Sequence, residues 1–326
     1  MTGEMVLTVP TESGRKNRRS IGRAETLLAV ATLAVLVYGA LTTDGFLTLE
    51  GLKATVSGVG ILGIVAVGMT CVTLSGSLFC LTLGSTLTIS SMAFLSWMSI
   101  GVLPALVLTI VMGALVCAVQ GLLIGGLAAN PIVVTVGLGS LQIGVASWLT
   151  NQSTVYPPAG ASYQWLSAVY AGLPLSVYVL VALVLAVAAW LSWSRTGQLI
   201  RLVGENSRAA RAAGIPVTGT VVAGFVIAGG CAALGGVLLG ATDGNATLLS
   251  GGDRYTYDAI AAVLVGGAAA GGGRGKVQHT VYGALFIALI SNMLLLRGFG
   301  GGAQMLVTGV LVLIVLLIFQ MRRRVR

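Results

Sequence analysis

The stretch RTGQLIRLVGENSRAARAAGIP, Arg195 to Pro216, holds four of the chain's 18 basic residues and one of its nine acidic ones. Long apolar runs flank it on both sides, and residues 54–194 contain no Asp, Glu, Lys or Arg. Only 8% of the chain is charged, 56% is hydrophobic, and the mean hydropathy is +0.98. A soluble domain carries about 25% charged residues, so these few charges are too sparse to coat a water-facing surface. Apolar segments of about 20 residues cross a bilayer's hydrocarbon core. The composition predicts an all-α, polytopic transmembrane helical bundle, interrupted at Arg195–Pro216 by a polar island.

Working outward from that island, hydropathy places spans near 24–42, 54–74, 84–100, 103–127, 132–150, 174–193, 217–240, 258–273, 277–296 and 303–320. Four basic clusters test this count: RKNRR at Arg15–Arg19, the island, RGK at Arg274–Lys276 and RRRVR at Arg322–Arg326. Ten spans with both termini inside put all four on one face, as the positive-inside bias requires. The other face receives TTDGFLTLEG (42–51), NQSTVYPPAGASYQWLSAVYAG (151–172) and TDGNATLLSGGDRYTY (242–257), rich in Tyr and Trp as interfacial belts are. Residues 1–23 read as a cytoplasmic tail before an uncleaved first span, 24–320 as the membrane domain with its cytoplasmic loop at 194–216, and 321–326 as a basic cytoplasmic end. Net charge is +9, but its clustering between spans argues for membrane topology and against nucleic-acid binding.

Two regions are irregular at membrane depth: SGSLFCLTLGS (Ser75–Ser85) and LVGGAAAGGGRG (Leu264–Gly275). Broken backbone inside a membrane is tolerated where it is buried in protein or lines a polar cavity. Interruptions in both halves of a chain point to a transport site. The competing explanation, close helix packing through small residues, is compatible with the first.

Motifs for soluble chemistry fail in context. GVGILG (Gly58–Gly63) fits a dinucleotide fingerprint but lies inside an apolar span with no acid about 20 residues on. GGRGKV near Lys276 lacks the first glycine of a phosphate loop, where Ala270 stands, and has Val277 in place of the magnesium-holding Ser or Thr. Cys71, Cys80, Cys117 and Cys231 have no metal or disulfide spacing and read as small apolar packing residues. The single histidine, His279, has no second ligand for zinc. No cofactor, metal or catalytic residue is expected. Asp258 and Glu25 fall at the starts of their predicted spans, so no ionisable group is expected deep in the bundle, which disfavours ion-coupled transport.

Within the island, Gly204 reads as a break, Asn206 or Ser207 as an N-cap, and Gly214 as the C′ residue before Pro216. That frames about two turns of helix, too short to persist without docking. Arg208 and Arg211 share one face, and Glu205 sits favourably near the N-terminus. The plain alternative is a solvated loop whose arginines only obey topology.

TGQLIRLVGENSRAARAAGI resembles the cytoplasmic loop of ABC-importer permeases of the ribose/simple-sugar and branched-chain amino acid type. Thr196, Gly197, Gly204, Asn206, Ala209, Ala210, Gly214 and Ile215 match that pattern. YDAIAAVLVGGAAAGGGRG (Tyr257–Gly275) and NPIVVTVGLGS (Asn130–Ser140) are similar to two further family segments. The resemblance implies a ten-span, type II architecture like that of vitamin B12 permeases. It further implies a second permease subunit, an ATPase dimer below, a solute-binding protein above and residence in a bacterial inner membrane. Gly204, Glu205, Asn206, Ser207, Arg208, Ala209, Ala210, Arg211 and Gly214 would form the ATPase-coupling helix. Sugar permeases of this kind read Gly-Gly-Ile-Asp-Leu-Ser-Val-Gly after the second span; here Phe79 or Cys80 stands at the Asp position, with one residue extra. The expected solute path is Ser75, Ser77, Phe79, Thr82, Thr135, Gln142 and Asn292, a set of neutral hydrogen-bonding groups with one ring. A sugar permease subunit is the leading expectation. An amino-acid or nucleoside permease, an autonomous secondary transporter or channel, and a membrane enzyme stand behind it.

Overall fold

The computed structural model describes residues 29–43, 46, 48–268 and 271–324. The expected 1–23 tail, the Arg15–Arg19 cluster and the last two residues lie outside the described residues. The helices, in chain order, are α1 (Ala29–Thr42), α2 (Leu49–Leu74), α3 (Leu83–Trp97), α4 (Val102–Leu127), α5 (Pro131–Thr150) and α6 (Leu175–Trp193). There follow α7 (Arg195–Glu205), α8 (Ser207–Ala212), α9 (Val217–Asp243), α10 (Gly252–Val265), α11 (Val277–Leu296) and α12 (Gly301–Arg324). Among the described residues, seven helices are long and apolar enough to cross a membrane, with shorter apolar helices at Ala29–Thr42 and Gly301–Leu311. The chain is thus an all-α polytopic bundle.

α9 is the axis, packing along α2, α3 and α4. Small residues let the backbones approach. A Cβ on Gly229 of α9 would overlap the Gly113 carbonyl of α4, so neither helix can shift outward without opening the core. Ile64, Val65, Phe225, Ala228 and Ala232 fill the space between them and are fully enclosed. α4, α5 and α6 form a rim whose outer faces carry Leu103, Val107, Leu115, Val133 and Leu185, all exposed, as a lipid-facing surface requires. Trp148 and Trp193, 78% and 86% exposed, mark its ends.

The 151–174 connection is ordered by a two-residue hairpin, β1 (Val169–Tyr170) and β2 (Leu173–Pro174). Its turn residues Ala171 and Gly172 both have positive φ. An antiparallel bridge, Val155 to Ala246, ties this connection to the one between α9 and α10.

Two expectations need correction. The eighth span, expected at 258–273, is α10 at 252–265: it begins six residues earlier and ends where Gly266 and Gly267 turn the chain. Asp258 therefore lies mid-helix instead of at a span start. It is 6% exposed, is paired with Arg254 one turn earlier at 3.7 Å, and is hydrogen-bonded to Thr308 of α12. The charges Asp253 and Arg254 suggested a loop; they form the first turn of α10, with Arg254 paired one turn on to Asp258. The island, in turn, is two helices. α7 is a full amphipathic helix that buries Gly197, Ile200, Val203 and Gly204, so Gly204 is not a break.

Candidate functional site

Local chemistry builds the island from its caps. Ser194 Oγ accepts from the Gly197 N–H at 2.9 Å and starts α7. Asn206, in extended backbone, accepts from the Ala209 N–H at 3.0 Å and starts α8. At the other end the Ile215 N–H donates to the Ala210 carbonyl at 3.0 Å and the Gly214 N–H to that of Arg211 at 3.1 Å. With Gly214 at φ +75, this is a complete Schellman motif. Ala210 is the one alanine of α8 that is buried, and Ile215 packs beside it on the core. Arg208, Ala209 and Arg211 are exposed. α8 is a short, fixed knob with two guanidinium groups outward.

At the end of α7 three chain segments converge. The Gly273 N–H donates to the Leu74 carbonyl at 3.2 Å, joining the segment after α10 to the end of α2. Gly204 lies against that bond: a Cβ there would overlap the Leu74 oxygen and stand 2.5 Å from the Gly273 nitrogen. Gly76 and Gly272, both at positive φ, complete the contact; a Cβ on Gly272 would stand 2.6 Å from Gly76 Cα and 2.7 Å from the Gly204 oxygen. Alongside, Glu205 and Arg274 form an exposed ion pair at 3.5 Å.

Beyond Gly76 the chain runs back along α2 in non-helical form, and the Cys80 N–H reaches the Met69 sulfur at 3.4 Å. Thr82 Oγ1 donates to Gln120 Oε1 of α4 at 2.6 Å and bonds the Cys80 thiol at 2.9 Å. One turn into α3, Thr86 Oγ1 donates to Gln142 Oε1 of α5 at 3.1 Å. Gly139 of α5 leaves room between Thr82 and Ser85. The Gly84 N–H, in the first turn of α3, donates to Thr256 Oγ1 of α10 at 2.9 Å, so the two interrupted spans begin side by side. Neither Gln120 Nε2 nor Gln142 Nε2 finds a partner among the described residues. Buried amide donors without acceptors cost about 1–3 kcal/mol each. Gln142 also lines a cleft of about 550 Å³ between α3, α4 and α5 whose other walls, Met92, Trp97, Met112 and Leu141 among them, are mostly apolar.

Of the expected path residues, the structure groups Thr82 and Gln142 through this layer. Ser75 and Ser77 lie just before it, hydrogen-bonded at 3.5 Å, with Phe79 half-buried between them and Cys80. Thr135 is buried two turns before Gln142 on the same face of α5, its hydroxyl bonded back to Pro131. Asn292 is elsewhere: its amide donates to Thr55 Oγ1 at 2.5 Å, 19 residues before Leu74, about 28 Å away along α2. The sequence reading missed Gln120, fully enclosed, and Thr86. A lone Gln inside a 26-residue apolar helix was the signal for the first.

A bundle with an interrupted span at its centre and a capped polar knob outside it is a membrane transport component. The family model described as "Branched-chain amino acid transport system / permease component" matches residues 52–317, and the chain belongs to that family. The ribose import permease protein RbsC of Escherichia coli K12 is 29% identical over 96% of this chain and 98% of its own length. The D-allose transport system permease protein AlsC of the same strain is 27% identical, covering 81% of each chain. The autoinducer 2 import system permease protein LsrD of Yersinia enterocolitica is 31% identical over 88% of this chain and 89% of its own. No solved structure matches the chain. The protein is therefore a multi-pass membrane permease subunit of an ABC importer, a transport component and not an enzyme.

Proposed function

We propose that this subunit moves a small polyhydroxylated solute, a sugar, inward across a bacterial inner membrane. In this reading it has ten spans in a type II arrangement, with both termini cytoplasmic, and pairs with a second permease subunit. A solute-binding protein delivers to the 151–174 face, and an ATPase dimer docks on α8. The single observation that carries the reading is α8: six residues capped at both ends and held by Ala210, with Arg208 and Arg211 free to meet an acidic groove. A topological loop alone has no use for a Schellman stop and an Asn cap. Relatives named for ribose, D-allose and autoinducer 2 support a sugar-like solute, as do the neutral donors and acceptors of the Thr82–Gln120–Gln142 layer.

Pull-down of the tagged, detergent-solubilised subunit tests this. An ATPase partner recovered with it, and lost when Ser207–Ala213 is deleted, is the expected result. Recovery of the chain alone, with uptake persisting in ATP-free proteoliposomes, would leave a self-sufficient transporter. A second reading, an amino-acid permease, is favoured by the apolar walls of the α3–α4–α5 cleft and by Phe79 or Cys80 at the position where an Asp was expected. Competition of unlabelled ribose and leucine for uptake separates the two.

A further inference from the structure

The two interruptions lie about 190 residues apart in sequence, yet both end on one residue of the island. Gly204 touches the backbone at Leu74 and Gly76 on one side and at Gly272 and Gly273 on the other, with no side chain between. Packed backbone without intervening side chains has little compliance, because no rotamer can absorb a displacement. Glu205, the next residue, is the last of α7, and Asn206 caps α8. Only Glu205 and the extended cap residue Asn206 separate α8 from Gly204, so a displacement of α8 reaches Gly204 across two residues and both interruptions through contact.

We infer that Gly204, with Gly76 and Gly272, is a positioning joint that passes movement of α7–α8 to both interrupted spans at once. The inference rests on the proposed function for the identity of what moves α8. The geometry of the joint stands without it. The α2–α3 break carries Ser75 and Ser77 and leads into Thr82. The segment after α10 continues the helix whose Thr256 holds the α3 N-terminus. Moving the joint shifts the solute layer from two sides.

The test uses the complete transporter and compares Gly204→Ala with Gly58→Ala, whose Cβ meets open space. In Gly204→Ala the ATPase subunit stays bound on pull-down and ATP hydrolysis continues, while solute moved per ATP falls at least tenfold. A parallel loss of hydrolysis and uptake, or loss of the ATPase from the pull-down, overturns the joint as a transmission element. Hydrogen exchange on the permease alone supplies a readout independent of any motor: amides in 75–82 and 271–276 speed up together in Gly204→Ala. Faster exchange in one segment only, or in neither, overturns the joint. Failure of the wild type to recover an ATPase sinks the importer reading instead, and the exchange result still decides the joint. Should Gly204→Ala not yield monodisperse protein, Gly76→Ala, whose Cβ would lie 3.1 Å from Gly204 Cα, carries the same two measurements.

Discussion

The joint at Gly204 and the layer around Gln120 and Gln142 sit at opposite ends of one short non-helical segment, residues 75–82. They are built by opposite rules. The joint is backbone on backbone, with glycines at positive φ and one hydrogen bond between segments. The layer is side chain on side chain, with hydroxyls donating to amide oxygens and amide N–H groups left over. A contact without rotamers passes displacement faithfully and recognises nothing. A contact of rotating hydroxyls and spare donors can exchange partners and is the kind that reads a solute. Eight residues separate these two kinds of contact.

The deepest break of that comparison removes the knob altogether. Deleting Ser207–Ala213 abolishes uptake, by more than about 100-fold, because the joint loses its lever. Membrane insertion, followed by protease protection, is unchanged. Next in size, Gln120→Leu removes the acceptor that the Thr82 hydroxyl and the Cys80 thiol share inside the bundle. It lowers stability by about 1–3 kcal/mol, read as a fall in melting temperature in detergent with uptake falling alongside. Gln142→Ala sharpens the contrast: it raises the KM for uptake about tenfold, worth about 1.4 kcal/mol, with little change in melting temperature because Gln142 borders the cleft. Asn206→Ala removes the α8 cap and costs that helix about 1 kcal/mol, seen as several-fold weaker recovery of the ATPase. Arg274→Ala has the smallest effect, less than about 1 kcal/mol on stability and under twofold on uptake, since exposed ion pairs contribute little. A large effect there would mean that the ion pair, and not the glycine contact, holds the joint.

Hydropathy located nine of the helices well, since lipid-facing and core-facing residues are both apolar and only the connections are not. The caps of α8 were equally readable, because Asn206 and Gly214 act on residues three or four away. What escaped has a common cause. α7 was hidden because Gly204 looks like a breaker until the backbone it admits, at Leu74, is known. α10 was misplaced because Asp253 and Arg254 read as loop and Asp258 as a span start, until Thr308 is brought to Asp258 and the α3 N-terminus to Thr256. Asn292 was grouped with the other polar residues by type, and its partner, Thr55 of α2, was not legible in the sequence. Chemistry within a capping turn was visible in the chain; most of the partners that other segments supply were not.

The composition of α10 has a consequence for biogenesis. It is 14 residues long and carries Asp253, Arg254 and Asp258. Asp258, mid-helix, disfavours transfer into lipid by about 2.5–3.5 kcal/mol, Asp253 and Arg254 add charge in the first turn, and 14 residues cover only about 21 of the bilayer core's 30 Å. Such a segment has no affinity for the membrane by itself. Its entry is expected to depend on α11, against which it packs, with Arg254 paired to Asp258 one turn on. The span that holds the α3 N-terminus through Thr256 is thus one whose place in the membrane depends on its neighbours.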